Sequence, residues 1–300
     1  MSTDSSPSSG RAVDYALLGL LALLWGSSYL FIKVAVVEIP PVTLIAVRVT
    51  IAAAFLMLIM TWRSERLPRD SRSWRQLLVQ SFFNSFGAWI LLAWGQQYVD
   101  SSLATVLNST SPIFVFFLTL AITRHEATSR IKFAGACLGL TGVVLIVGVD
   151  ALAGLGQQIA GQLAILAGAM LYGCAAIYGQ RLRHLSATAT ATGTMIWGAV
   201  ILVPASLAFE APWTLAPSMK AIGATVALSV FSTGVALLIY FRLLKTLGSL
   251  GTASQAYLRI GVGVVLGIVV LGETLSAPVA VGLLLAVLGV VAINLPPRRR

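Results

Sequence analysis

One arginine, Arg259, stands near the middle of an apolar run, Leu250–Leu271. Placing a guanidinium there costs about 2.5–3.5 kcal/mol on insertion scales, so the residue needs a purpose. A guanidinium can hold a carboxylate through two parallel hydrogen bonds. The functional reading is that Arg259 meets a ligand carboxylate; the structural one is that it pairs with helix-end carbonyls or stacks on Tyr257. A second feature is the stripe Gln80, Asn84, Gly87, Leu91, Trp94, Tyr98, spaced by threes and fours. On an α-helix these residues share one face. Amides, a glycine and aromatics suit the wall of a cavity for a partly apolar ligand. They would equally suit interhelical hydrogen bonds and an interfacial Trp/Tyr belt, which is the favoured reading for Tyr98.

Other runs carry weaker signals. Asn108-Ser109-Thr110-Ser111-Pro112 interrupts an apolar segment. Ser before Pro can cap a helix that restarts within the membrane and aims free N–H groups at an anion; a proline kink is the favoured alternative. Pro204 is read as a kink as well. Glycines at 135, 139, 142, 263 and 267 mark close helix packing. Lys33 and Arg48 are read as snorkelling or holding the fold. Cys137 and Cys174 sit in apolar runs without metal or redox spacing, and are read as small core residues. The candidate ligand-binding residues are thus Arg259, Asn84, Trp94, Asn108, Gln255, Tyr172, Trp25, Tyr240, Tyr257 and Gln80.

Hydrophobic residues make up 58% and charged residues 10%, against about 25% charged in an average soluble domain. A bilayer is therefore the expected solvent. Spanning the hydrocarbon core takes roughly 20 apolar residues. The spacing predicts ten such helices: Tyr15–Val37, Val42–Trp62, Leu77–Tyr98, Leu103–Ile122, Ile131–Val149, Ile159–Tyr178, Ala187–Ala208, Ala221–Leu243, Leu250–Leu271 and Ser276–Asn294. The seventh is the least regular, because Ala and Thr alternate at its start. Residues 1–14 and 295–300 are read as polar tails, the first disordered. The first run is read as an uncleaved helix, since no small-residue cleavage site follows it.

Charge fixes the expected orientation. The net charge is +10, but the cations lie in short loops between apolar runs, so nucleic acid is not the expected partner. With the N-terminus cytoplasmic, the outer loops hold only Lys220, and Lys33, Arg48 and Arg259 fall within spans. All other Lys and Arg fall on the inner side. This positive-inside bias predicts cytoplasmic termini in a bacterial inner membrane.

The sequence also repeats. A shift of 147 residues places Ser102-Leu103 on Ser249-Leu250, Glu126 on Glu273, and Gly135 and Gly142 on Gly282 and Gly289. Asn108 falls on Gln255 and Trp25 on Tyr172. Five spans is an odd number, so the second half (158–294) must insert opposite to the first (15–149). Inverted repeats of this kind are a transporter architecture, with the ligand near mid-membrane between the halves.

Taken in order, Trp25-Gly26-Ser27-Ser28, Arg48, Gly95–Tyr98, the Ser-Pro followed by Glu126, and Gly272-Glu273 resemble the EamA-type members of the drug/metabolite transporter superfamily. The resemblance covers 15–294. Within the family the chain looks most like bacterial aromatic-amino-acid exporters. It departs from the family at Tyr257-Leu258-Arg259-Ile260, where a proline is common. The resemblance implies an all-α membrane protein with ten helices in two inverted five-helix repeats around a central cavity. It also implies export of small metabolites such as amino acids by alternating access, with a monomer plausible.

All ten Asp and Glu lie in tails, loops or span ends, and both His lie in loops. No buried relay for protons is expected, so export is read as facilitated. No nucleotide-binding glycine loop, metal or cofactor is expected. Two alternatives remain: an exporter of other metabolites or drugs, and a membrane-embedded lipid-modifying enzyme. The latter would need a cluster of acids or histidines at one face, so an enzyme is not expected.

Overall fold

In the computed structural model, residues 7–123, 130–152, 156–246 and 255–294 are described, and among them every regular element is helical. Helix α1 spans Pro7–Val36 and starts ahead of the first apolar run. Helix α2 spans Pro41–Trp62, with Pro at its first turn, where the missing N–H costs nothing. Helix α3 spans Ser71–Gly95 and contains a π-helical turn at Phe82–Phe86. Its start precedes the apolar run, because Asp70 caps it by accepting the Ser73 N–H at 2.7 Å.

The fourth predicted span is two helices. Helix α4, Ser101–Asn108, ends in a turn, and α5, Ser111–Thr123, restarts with Pro112 in its first turn. Ser109 and Thr110 return their hydroxyls to the carbonyls of Thr105 and Leu107, which satisfies acceptors freed by the break. Helix α6 spans Arg130–Leu152, α7 Gly156–Tyr178 and α8 Ala187–Phe209. Ser186 caps α8 by accepting the Ala189 N–H, so the Ala/Thr segment is helical from its first residue. Helix α9 runs from Met219–Ser229 through a π turn, Val230–Val235, into Ala236–Thr246. Helices α10, Gln255–Leu271, and α11, Ala277–Asn294, complete the chain. Glu126, Ser249 and Leu250 lie outside the described residues, as does the side chain of Tyr257.

Seven helical stretches among the described residues are long and apolar enough to cross a bilayer. The chain is a multi-pass membrane protein. Its exposed residues are what a lipid solvent allows: Val269, Leu58 and Phe231 face outward at 76%, 68% and 52% exposure.

Packing is pairwise and close. Helix α6 lies along α11, α2 along α8, α1 along α10, and α3 along α7. At the α6–α11 crossing, Gly142 and Gly282 meet so closely that a Cβ on either would strike the other's backbone carbonyl. Without water to drive association, such backbone approach supplies the van der Waals contact that holds two helices together.

Candidate functional site

Arg48 enters the bundle interior from α2 and is 5% exposed. Its guanidinium carbon sits 3.6 Å from the centre of the Trp89 ring, from α3. Its Nε donates to the Thr233 hydroxyl, in the π turn of α9, at 2.9 Å. The face of an indole carries negative potential, so Trp89 partly stabilises the cation in a low-dielectric setting. The Trp89 N–H in turn donates to the Tyr172 hydroxyl, from α7. Tyr172 lies within electrostatic reach of Tyr29, Arg48 and Arg259, which places the four in one cluster.

The other side of the cluster is built on the break between α4 and α5. Asn108 Nδ2 donates to the Tyr29 hydroxyl at 2.6 Å. One residue on, the Ser109 hydroxyl accepts a bond from Arg259 at 3.0 Å. Helix α10 carries Gln255 and Arg259 one turn apart, hence on one face. Three buried atoms here have no hydrogen-bond partner: Arg259 Nε, Asn108 Oδ1 and Gln255 Oε1. Among the described residues no carboxylate pairs with Arg48 or Arg259; the ion pairs are Lys33–Asp100 and Arg242–Asp14.

Beside the cluster, α3 and α9 each hold a buried serine in a π turn, Ser85 and Ser232. Neither hydroxyl has a partner. They stand 147 residues apart, the shift of the sequence repeat. Ser85 lies one turn from Trp89, and Ser232 precedes Thr233, so both sit next to groups that hold Arg48.

Of the predicted site residues, Arg259, Asn108 and Tyr172 come together, and Gln255 lies one turn before Arg259 on α10. Gln80 is buried elsewhere, donating weakly to Ala175 O at 3.4 Å near Gly179. Asn84 is half-buried within the π turn of α3. Trp25 and Tyr240 stack on each other at 5.3 Å, in a separate apolar cluster with Leu21 and Leu243. Trp94 is 37% exposed and meets Tyr98 edge-on, away from the cluster.

The π turn explains the last result. The stripe from Gln80 to Tyr98 assumes 3.6 residues per turn throughout. A π turn inserts one extra residue, so the inward face beyond it becomes Trp89, Leu92 and Gln96, all buried. Sequence reasoning therefore missed Trp89, and with it Tyr29 and Thr233. The available signals were Arg48 itself, a cation with no carboxylate within its run, and Trp89 at the wrong phase of the stripe.

Carboxylates are found at the ends of the bundle. Glu273 accepts the backbone N–H groups of Ser101 and Ser102 at 2.7 and 2.9 Å, and the Ser102 hydroxyl. Burial pushes its carboxyl up, but these bonds outweigh that and hold it below the usual range. Glu210 accepts from Val42 N and Thr43 N, Glu38 from Ser218 N and its hydroxyl, and Glu65 from the Ser186 hydroxyl. The Ser218 bonds lower the Glu38 carboxyl, with Lys220 adding to them. Lys33 does not snorkel: it donates to the carbonyls of Gln96 and Val99 at 3.0 and 2.7 Å, and lies 3.9 Å from Asp100. Burial raises the Asp100 carboxyl, Glu273 adds to this, and Lys33 opposes it.

Two cavities are present near the ends. One of about 470 Å³ is lined by Leu17, Arg63, Glu65, Thr188, Ile239 and Arg242. The other, of about 160 Å³, is lined by Tyr98, Asp100, Leu103, Gln158 and Ser276.

The model of one membrane-transporter family, the EamA-like transporter family, matches the chain twice, over residues 14–148 and 159–295. The chain belongs to the EamA-like transporter family. Relatives of this EamA chain carry the same word in their names. It is 26% identical to the uncharacterized transporter YoaV of Bacillus subtilis over 278 residues, 91% of this chain and 94% of that one. It is 26% identical to the uncharacterized inner membrane transporter YedA of Escherichia coli K12, over 87% of this chain and 84% of that one. A transporter of Archaeoglobus fulgidus is 28% identical over 81% of this chain and 84% of its own length. A solved crystal structure superposes with a TM-score of 0.64 at 20% identity, covering 98% of this chain and all of the other, which establishes a shared fold.

Proposed function

We propose that this EamA-family transporter exports amino acids, aromatic and other apolar ones, by facilitated alternating access. The observation that carries the reading is a buried guanidinium, Arg48, and a half-buried one, Arg259, whose Nε is buried, with no carboxylate beside either among the described residues. A buried cation without a counter-ion is costly. A transported carboxylate supplies that counter-ion, through Arg259 and its free Nε. The aromatic walls, Trp89, Tyr172 and Tyr29, suit an apolar side chain.

The architecture that would carry this is ten helices in two inverted repeats. Its support is the double family match at the 147-residue shift and the contact pattern. The shift maps the α6–α11 and α2–α8 pairs onto themselves. It maps α1–α10 onto α7–α5, and α3–α7 onto α9–α1. Cytoplasmic termini and an inner-membrane location agree with the basic loops and with the name of the E. coli relative. Facilitated export agrees with Glu38, Glu65, Glu210 and Glu273, which are engaged at helix ends. Uphill substrate movement driven by a pH gradient alone in proteoliposomes would overturn that part.

The deciding experiment is saturable uptake of labelled phenylalanine, tryptophan or leucine by purified protein in liposomes, with Arg259→Ala alongside. The expected outcome is uptake by the wild type and a loss of at least tenfold in the variant. Unchanged uptake by folded Arg259→Ala would overturn the role of Arg259. A second reading, export of other anionic metabolites, draws on the same two cations; wild-type uptake of simple organic anions but of no amino acid would establish it.

A further inference from the structure

Resting on the reading above, we infer that the site recognises the α-ammonium group as well as the carboxylate, through Asn108 and Gln255. It therefore selects zwitterions over simple carboxylates. Three unpartnered buried atoms surround the α4–α5 break: one donor, Arg259 Nε, and two acceptors, Asn108 Oδ1 and Gln255 Oε1. Asn108 is 2% exposed and Gln255 7%. Buried polar atoms are nearly always hydrogen-bonded, so three together need an explanation.

Their placement supplies one. Arg259 and Gln255 share a face of α10. Arg259 is tied to Ser109, the neighbour of Asn108. Asn108 has already committed its Nδ2 to Tyr29, which fixes its oxygen as the free atom. A guanidinium bonded beside Asn108, with Gln255 one turn along the same helix face, thus offers donors to a carboxylate and two amide oxygens to an ammonium. An ammonium has three donors and no acceptor, so it needs such oxygens. The two amides are mates under the 147-residue shift, one from each half.

Charge sharpens the selection. The cluster already holds Arg48 and Arg259, so a bare amine would add a third positive charge to a low-dielectric interior. A simple carboxylate satisfies the guanidinium but leaves both amide oxygens empty. A zwitterion satisfies all three and adds no net charge. The expected order of affinity is amino acid, then its des-amino analogue, then its des-carboxy analogue.

The test is competition against uptake of whichever labelled amino acid the wild type carries best, using its own des-amino and des-carboxy analogues. In the wild type the des-amino acid should compete at least tenfold more weakly than the amino acid, and the amine should not compete. In Asn108→Leu and Gln255→Leu the preference for amino acid over des-amino acid should collapse towards one. Equal competition by amino acid and des-amino acid in the wild type would overturn this inference and leave amino-acid export standing. So would an unchanged preference in both variants, if thermal unfolding shows them folded. Absence of any amino-acid uptake would overturn the functional reading, and this inference with it. The wild-type ranking needs no variant, so misfolding of a variant cannot shelter the idea.

Discussion

The ends of the bundle and its middle treat polar groups in opposite ways. At the ends, Glu38, Glu210 and Glu273 each close a helix N-terminus contributed by the other family-matched segment, and Glu65 reaches the cap of α8. A helix N-terminus has free N–H groups and partial positive charge, so a carboxylate there is doubly favoured. In the middle, one guanidinium, that of Arg259, two amides and two serines are held in place yet left with atoms unpartnered. Polar groups that complete one another hold the helices together; the incomplete ones are those on which the proposed site rests.

That contrast can be broken in steps. The largest effect should follow Arg48→Met, which removes the cation between Trp89 and Thr233 and should cut transport at least a hundredfold. Arg48→Lys should recover part of it, keeping the charge but losing the planar stack on the indole. Uptake in proteoliposomes reads both, and wild-type uptake by Arg48→Met would erase the middle as a functional region. Next, Gly267→Ala should destabilise the protein by about 1–3 kcal/mol, because the new Cβ would meet the Ser102 hydroxyl and the Glu273 carboxylate. Thermal unfolding in detergent measures it.

Glu273→Gln should cost about 1 kcal/mol, discounted because the carboxyl is partly solvated. Here pH gives a separate handle. The folded-state value of Glu273 lies below its ordinary 4.5, so its stabilisation is present above that pH. It is lost as the pH falls through the lower folded-state value. The wild type should therefore lose more stability than Glu273→Gln on acidification below about pH 4.5, and parallel curves would show the clasp to be inert. The smallest effect should be that of Trp94→Leu, outside the cluster: uptake within about twofold of wild type. A large loss there would return the predicted stripe to the site.

Much of this was legible from residue order. Apolar runs located the helices because a bilayer tolerates little else. Arg259, Asn108 and Gln255 stood out because polar residues are rare in such runs, and the 147-residue repeat coupled the two amides. Three things were hidden. The π turn in α3 has no marker in composition, yet it exchanges Trp94 for Trp89. Tyr29 is one aromatic among many until Asn108 is seen beside it. Lys33 could snorkel or hold the fold, and nothing in its run announces the carbonyls of Gln96 and Val99 that decide for the second.

The two π turns bear on ancestry. Each amounts to one extra residue threaded into an α-helix, and each carries a glycine at the same repeat position, Gly87 just past one turn and Gly234 within the other. Two independent insertions would have had to strike matching places in two family-matched segments. A single insertion, made before one gene segment became two, requires only one event. On that account the buried serines Ser85 and Ser232 are older than the asymmetry around them. Arg48 and Arg259, whose counterparts are Met195 and Pro112, would be later additions to a cluster that was once alike in both segments.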